Sequence, residues 1–270
     1  MTYNNEQKGV TVVQNDVPNR ISVKIKVADR VAEISVDFKS TRVYCSDYLC
    51  EEEPDFQLNI NKQDIAFERQ KSAQEDALEG KPIRSFSDAY LETIALQRKL
   101  AEHLFHFDTL LFHGSVVAID NEAYLFTAKS GTGKSTHTRL WREVFGSRAV
   151  MVNDDKPFLK ATKEGILVYG SPWNGKHGLG TNTCVPLKAI CILKRGEENR
   201  IRQIPAKDAV LMLLQQSNRP MTPALMPKYM ELIDRLAQGV TFYEMSCNMD
   251  PEAAVISYEA MSGKRKEDAK

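Results

Sequence analysis

The stretch AYLFTAKSGTGKSTHTRLWREVFG, residues 123–146, constrains the fold more than any other part of the chain. An alternating apolar run enters a turn that holds Gly131 and Gly133, and the run that leaves it has helical spacing and stops at Gly146. A second apolar run, AVMVNDD, follows at once and ends on Asp154 and Asp155. One helix followed at once by a strand puts those carboxylates beside the turn. The turn and the two carboxylates therefore face each other at one edge of a sheet. This unit commits the chain to an α/β class with helices packed on a sheet.

The turn carries chemistry as well as topology. The pattern G-x-x-x-x-G-K-[ST] is met over residues 128–135 except at its first position, which is Ala128. Alanine fits there if its φ is negative, while Gly131 and Gly133 supply the permissive positions. In such a P-loop the backbone N–H groups of Ser130, Gly131, Thr132, Gly133, Lys134, Ser135 and Thr136 cradle phosphate oxygens at a helix N-terminus. Lys134 would reach the β- and γ-phosphates, and the Ser135 hydroxyl would ligate Mg²⁺. A carboxylate among Asp154 and Asp155 could hold the metal, and the other could take a proton from an attacking hydroxyl. The plainer alternatives are a fortuitous glycine turn and a polar strand end, since DDKP is good turn chemistry.

Around this unit the chain reads as follows. ISVKIKV and VAEISVDF, joined at Ala28-Asp29-Arg30, form a hairpin, with TRVYCS and FQLNI as further short strands. Residues 1–84 thus read as a small antiparallel β unit whose end, 62–84, mixes loop with frayed helix. A connecting helix over 85–108, capped by Ser85 and Asp88, bears His103 and His106 on one face. Those histidines lack an evident third metal partner and read as surface or satisfied side chains. The core spans 109–262: TLLFHGSVVAI and AYLFTA as paired strands about Asp120-Asn121, a hairpin FLKAT-KEG-ILVYG, a core strand LKAICILK, helices near 206–217 and 224–238, a strand VTFYEMSC and a helix opened by DPEAA. The tail 263–270 reads as disordered.

Bulk properties narrow the partners. Lysine plus arginine and aspartate plus glutamate both number 36, so no net field draws the chain to nucleic acid or an anionic membrane. No apolar run approaches a membrane span, and MTYNNEQKGV lacks the apolar segment of a secretion signal. Five cysteines, an odd number without a C-x-x-C pair, read as reduced thiols. Together these point to a cytoplasmic protein, with homo-oligomerisation left open.

The segment HGSVVAI…AYLFTAKSGTGKSTHT…VNDDKP resembles the catalytic core of the HPr kinase/phosphorylase family and the HPr-kinase-related serine kinases. Its loop is also similar to that of ATP-dependent phosphoenolpyruvate carboxykinase, with which the family shares its P-loop fold. The resemblance spans about residues 110–195, and downstream PLKAICILKR and SCNMDPEAAVISYEAM fit the small relatives that phosphorylate peptide precursors or free serine. It implies a mixed-sheet α+β core with antiparallel hairpins beside the loop. By the same likeness His113 matches the family histidine, Lys134 and Ser135 the phosphate and metal positions, Asp154 the base and Asp155 the metal ligand. In place of the family's glycine-rich segment with Glu and Arg, this chain has VYGSPWNGK, so neither HPr nor the phosphorylase reaction is implied. The chain is also far shorter than the carboxykinases.

The loop YGSPWNGKHGLGTN, residues 169–182, projects Trp173, Lys176 and His177. Trp173 either walls an acceptor site or anchors the loop to the core, and Lys176 is a candidate for the transferred phosphoryl group or an acidic acceptor. Arg195, Arg200 and Arg219 are candidate clamps. The expectation is an ATP- and Mg²⁺-dependent transfer of the γ-phosphate to a hydroxyl, serine above all, of a protein, peptide or small molecule. A non-catalytic nucleotide-binding partner protein is the competing class, and a carboxykinase a third.

Overall fold

The computed structural model describes residues 17–266. The N-terminal stretch read above as lacking a leader, and residues 267–270 of the tail, lie outside the described residues. The described residues fall into two compact units, divided between His103 and Leu104.

The first unit begins with the expected hairpin, β1 (Ile21–Val27) paired antiparallel to β2 (Arg30–Val36). Its two-residue turn holds Ala28 and Asp29 at φ +52° and +63°. TRVYCS is not a strand. Its residues lie largely in a short helix, α1 (Lys39–Tyr44), which has no cap of its own at Phe38. The cap comes from a distance: the buried Glu92 carboxylate accepts from the N–H groups of Asp37 (2.5 Å) and Phe38 (3.1 Å) and from Thr41 Oγ1 (2.6 Å). Burial raises the Glu92 pKa. Because α1 carries the chain back to the start of the sheet, β3 (Phe56–Asn59) pairs with β2 in parallel, so the sheet is mixed where an antiparallel one was expected.

A second correction falls on residues 62–84, read as loop with frayed helix. They contain α2 (Lys62–Leu78), opened by a capping box. Asn61 Oδ1 accepts from the Gln63 and Asp64 N–H groups at 2.9 and 3.1 Å, and Asp64 returns a bond to the Asn61 N–H at 3.0 Å. The apolar period was weak because the buried stripe of α2 is mostly charged: Glu68 and Asp76 lie inward with Ile65. Arg98 of α3 (Asp88–Leu104) pairs with Glu68, and Arg84 meets Asp76 at 2.8 Å. Helix α3 itself starts three residues later than expected. Ser87 Oγ, rather than Ser85, accepts from the Tyr90 N–H at 3.2 Å.

The second unit is a mixed sheet with helices on both faces. Its strands are β4 (Thr109–Leu111), β5 (Ser115–Ile119), β6 (Glu122–Thr127), β7 (Val150–Asn153), β8 (Phe158–Ala161), β9 (Ile166–Tyr169), β10 (Cys184–Arg195), β11 (Arg200–Ile204) and β12 (Thr241–Cys247). The order is β4-β8-β9-β10-β6-β5-β7, with β12 beside β10 and β11 beside β12. Strand β10 organises it: its first residues pair antiparallel with β9, and the rest run parallel to β6 and β12. The β5–β6 turn holds Asp120 and Asn121 at φ +52° and +61°, the left-handed pair a two-residue hairpin requires.

Alternate residues of the central strands face opposite ways, and both faces are covered. Val116, Leu125, Ile190 and Phe242 pack with Leu213 of α5 (Ala206–Gln216) and Leu232 of α6 (Met226–Gly239). Val117, Phe126, Cys191 and Met245 pack with Trp141 of α4 (Lys134–Phe145) and Tyr258 of α7 (Glu252–Ser262). Trp141 centres an aromatic cluster, its ring 5.1 Å from Tyr124, 5.3 Å from Phe126 and 5.7 Å from Tyr258. Because both faces are buried, the strands read as continuous apolar runs. In the tail, Lys264 pairs with Glu122 at 3.0 Å. No described helix is long and apolar enough to cross a membrane.

Candidate active site

Strand β6 delivers the chain into the glycine turn, and α4 leaves it. Gly131 and Gly133 take φ +75° and +123°, conformations that strain any side chain. The turn closes on itself through the Thr132 N–H and Oγ1, which both donate to the Lys129 carbonyl, at 3.2 and 2.8 Å. Arg195, at the end of β10, donates to the Gly131 carbonyl (2.5 Å) and the Thr132 carbonyl (3.4 Å), so the carbonyl side of the turn is held from another strand. Helix α4 starts at Gly133 with no side-chain cap and no acidic residue in its first turn. Its leading N–H groups and a lysine thus add positive potential at one point, where an oxyanion is stabilised.

The strand β7 ends opposite. Asp154, 6 % exposed, accepts from Ser115 Oγ at 2.6 Å, and Thr138 Oγ1 of α4 lies 2.8 Å from the same Ser115 oxygen. Asp155 faces His113, with Nε2 and Oδ1 3.3 Å apart. Burial, with the charges of Lys156 and Lys134 behind it, pushes the His113 pKa down to about 3. The imidazole is therefore neutral near pH 7, and its 3.3 Å contact with Asp155 is not an ion pair. Burial raises the Asp155 pKa, the neighbouring Asp154 adding to it and Lys156 and Lys134 opposing. Burial also lowers Lys134, with Asp155 acting against it. Gly114, after the histidine, is closely packed: a Cβ there would sit 2.9 Å from Leu125 Cδ2 and 3.2 Å from the Phe126 carbonyl.

One residue absent from the sequence reading holds this corner together. Asn153 is fully buried, and its Oδ1 accepts from the N–H groups of Asp155 (2.8 Å) and Lys156 (2.7 Å). Its Nδ2 donates to Ser171 O (3.2 Å), Ser171 Oγ (3.1 Å) and Asn174 Oδ1 (2.8 Å). A single side chain thus ties the aspartate turn to the loop over 171–180.

The expected residues gather around a cleft of about 500 Å³, lined by the glycine turn, Lys134, Ser135, Thr136, His113, Asp154, Asp155, Lys176 and His177. Arg139 and Arg142 of α4 also line it and were not singled out from sequence. The signal was there, since Ser135, Arg139 and Arg142 share one helix face. Trp173 does not project as expected. It is 3 % exposed and outside the cleft lining, with its carbonyl accepting from the Lys156 N–H at 3.2 Å. Of the three candidate clamps only Arg195 reaches the turn; Arg200 pairs with Glu198 and Arg219 is exposed. A second cleft of about 490 Å³ shares Gly131, Gly133 and Thr136 and continues to Leu193, Cys247 and Met249.

The class that fold and site define is a mixed α/β unit whose glycine turn and helix N-terminus face two carboxylates across a cleft. No family model matches the chain, and no curated protein is similar to it. Among solved structures, the HPr(Ser) kinase/phosphatase from Coxiella burnetii is similar at 12 % identity and a TM-score of 0.33, over 57 % of this chain and 95 % of that one. A likeness of that depth carries no argument about chemistry.

Proposed function

We propose that the chain is a kinase that transfers the γ-phosphate of ATP, with Mg²⁺, to a hydroxyl, serine foremost, of a protein, peptide or small molecule. The observation that carries this reading is the juxtaposition in one cleft of an uncapped, lysine-bearing helix start and the Asp154–Asp155 pair. Lys134 and the first N–H groups of α4 hold the β- and γ-phosphates. The second cleft, with Leu193 and Met249 beside the same turn, suits the nucleoside half. Mg²⁺ would be held by Ser135 Oγ and the Asp155 carboxylate and would supply charge neutralisation between the phosphates. Among the described residues no three His, Cys, Asp or Glu side chains could hold a metal by themselves. That suits an ion completed by phosphate oxygens and water.

Asp154 is the base. Its Oδ1 is engaged by Ser115, so Oδ2 takes the proton of the acceptor hydroxyl as that oxygen bonds to the γ-phosphorus. The bond from the γ-phosphorus to the bridging oxygen breaks, and ADP carries that electron pair away. His113, neutral, fixes Asp155 through the 3.3 Å contact. The test is calorimetric titration of ATP with Mg²⁺ together with transfer of labelled γ-phosphate to serine-bearing acceptors. Lys134→Ala should weaken nucleotide binding at least about tenfold. Asp154→Asn should keep nucleotide affinity while turnover falls by ~10²–10⁴. Nucleotide titrations indistinguishable between the parent protein and Lys134→Ala would end this reading.

A further inference from the structure

Resting on the kinase reading, we propose that the acceptor carries an anionic group of its own, a carboxylate or a phosphate monoester, and that Arg142 and Lys176 bind it. Both line the active cleft, from different elements: Arg142 from α4 and Lys176 from the exposed turn Gly175–His177. Neither side chain makes a hydrogen bond or ion pair with any described residue. In Arg142 the Nε atom is in addition buried without a partner. A guanidinium nitrogen removed from water and left unpaired is costly, and an acceptor for it recovers that cost.

The other charges of the cleft are already answered. Arg139 pairs with Glu143 at 2.7 Å, Asp154 accepts from Ser115, and Asp155 meets His113. Lys134 and the metal serve the nucleotide phosphates under the proposed function. Arg142 stands two turns further down α4 than the residues of the phosphate turn, about 12 Å along the axis from Lys134 at the usual rise. Its side chain leans back toward the helix start, as helical side chains do, and so into the cleft rather than onto the first-turn N–H groups. Gly175, beside Lys176, approaches Asp155 so closely that a Cβ there would lie 3.2 Å from the Asp155 Cβ. That close approach places the turn bearing Lys176 against the metal-binding carboxylate. An acceptor hydroxyl at Asp154 and an anion on Arg142 and Lys176 thus occupy one continuous space. A neutral acceptor would leave both cations unpaired inside it. Arginine adds selectivity because its planar fork matches carboxylate and phosphate oxygens, with lysine as the point charge.

The experiment uses the whole chain saturated with Mg²⁺ and a non-hydrolysable imido analogue of ATP, so that the phosphate turn is filled. Malonate and inorganic phosphate are titrated separately, by calorimetry and by the rise in melting temperature. The parent protein should bind at least one probe, and the probe that binds names the source, carboxylate or phosphate. Arg142→Gln and Lys176→Gln should each weaken that probe about tenfold, with analogue affinity within about twofold of the parent. Lys176 lies on an exposed turn, so its variant reads the site even if Arg142→Gln lowers stability. Binding of neither probe, or equal probe affinity in both variants and parent, would overturn the proposal. So would a tenfold loss of analogue affinity in both variants, since the cations would then serve the nucleotide. If the parent fails to bind the analogue at all, the kinase reading falls separately. The same variants, compared with Lys134→Ala in nucleotide-free protein, then decide whether the anion site exists.

Discussion

Replacing Asn153 with alanine should loosen the corner that carries the two proposed catalytic carboxylates, and the structure sets the size of the loss. The amide joins two backbone N–H groups, of Asp155 and Lys156, to the side chain and carbonyl of Ser171 and to Asn174. In Asn153→Ala the Asp155 N–H loses its acceptor, while the Lys156 N–H keeps only the Trp173 carbonyl at 3.2 Å. One orphaned donor costs ~1–3 kcal/mol and the lost bonds to Ser171 and Asn174 add about 1 kcal/mol, so the change is worth about 3 kcal/mol. That is a large part of the ~5–15 kcal/mol that separates folded from unfolded domains. At ~2–4 °C per kcal/mol for a unit of this size, the second unit should melt about 6–12 °C lower. Scanning calorimetry measures it, and ATP titration on the same preparation shows whether the glycine turn survives. A companion, Asn174→Ala, removes only the 2.8 Å bond on the loop side and should cost about 1 kcal/mol. It should reduce acceptor-dependent turnover more than nucleotide affinity. If Asn153→Ala melts within about 2 °C of the parent, the amide is not the tie between turn and loop, and the account of this corner is wrong.

Other outcomes follow from particular contacts. Gly114→Ala drives a Cβ to 2.9 Å from Leu125 Cδ2 and 3.2 Å from a backbone carbonyl. It should cost ~1–3 kcal/mol in chemical denaturation. Arg195→Ala frees the Gly131 and Thr132 carbonyls and should weaken ATP binding by about five- to tenfold in calorimetry, with the melting temperature nearly unchanged. Glu92→Ala strips the cap from α1, leaving three donors without their acceptor, and should lower the stability of the first unit by about 2–4 kcal/mol in urea titration. His137 and His113 are pushed down from 6.5 to about 4 and about 3 by burial. Their folded values lie below the unfolded one, so the stability they contribute is complete above pH 6.5 and is lost as pH falls through those lower values. Melting curves between pH 7 and 4 should show the loss, and His137→Phe should flatten it; an unchanged slope would count against a neutral buried His137.

What could be read from the sequence divides along physical lines. The second unit was legible because its strands and helices bury apolar stripes, and the period of those stripes is the signal: Val116 and Leu125 go to one face, Val117 and Phe126 to the other. The first unit defeated the same method twice. Helix α2 turns Glu68 and Asp76 inward onto arginines, so counting apolar residues finds little. Helix α1 is six residues whose β-branched members favour a strand, and its cap is a glutamate remote in sequence. Local preference lost there to a tertiary contact that no window of sequence contains.

At the candidate site the difference lies between atoms that would touch a substrate and atoms that hold those atoms. The glycine turn, Lys134, Ser135 and the two aspartates announce themselves, because phosphate chemistry needs those residue types at those spacings. Trp173 announced itself with two meanings, a wall for an acceptor or an anchor of its loop, and its burial, with its carbonyl bonded to Lys156, fits the anchor. Asn153 was passed over between apolar residues and the aspartates it supports, since an amide's worth depends on how many partners surround it, which only the fold decides. Arg142 is the intermediate case. Its spacing from Ser135 placed it on the right helix face. Its meaning came from what is missing around it, because a charge is informative in a cleft only when no neighbour already answers it.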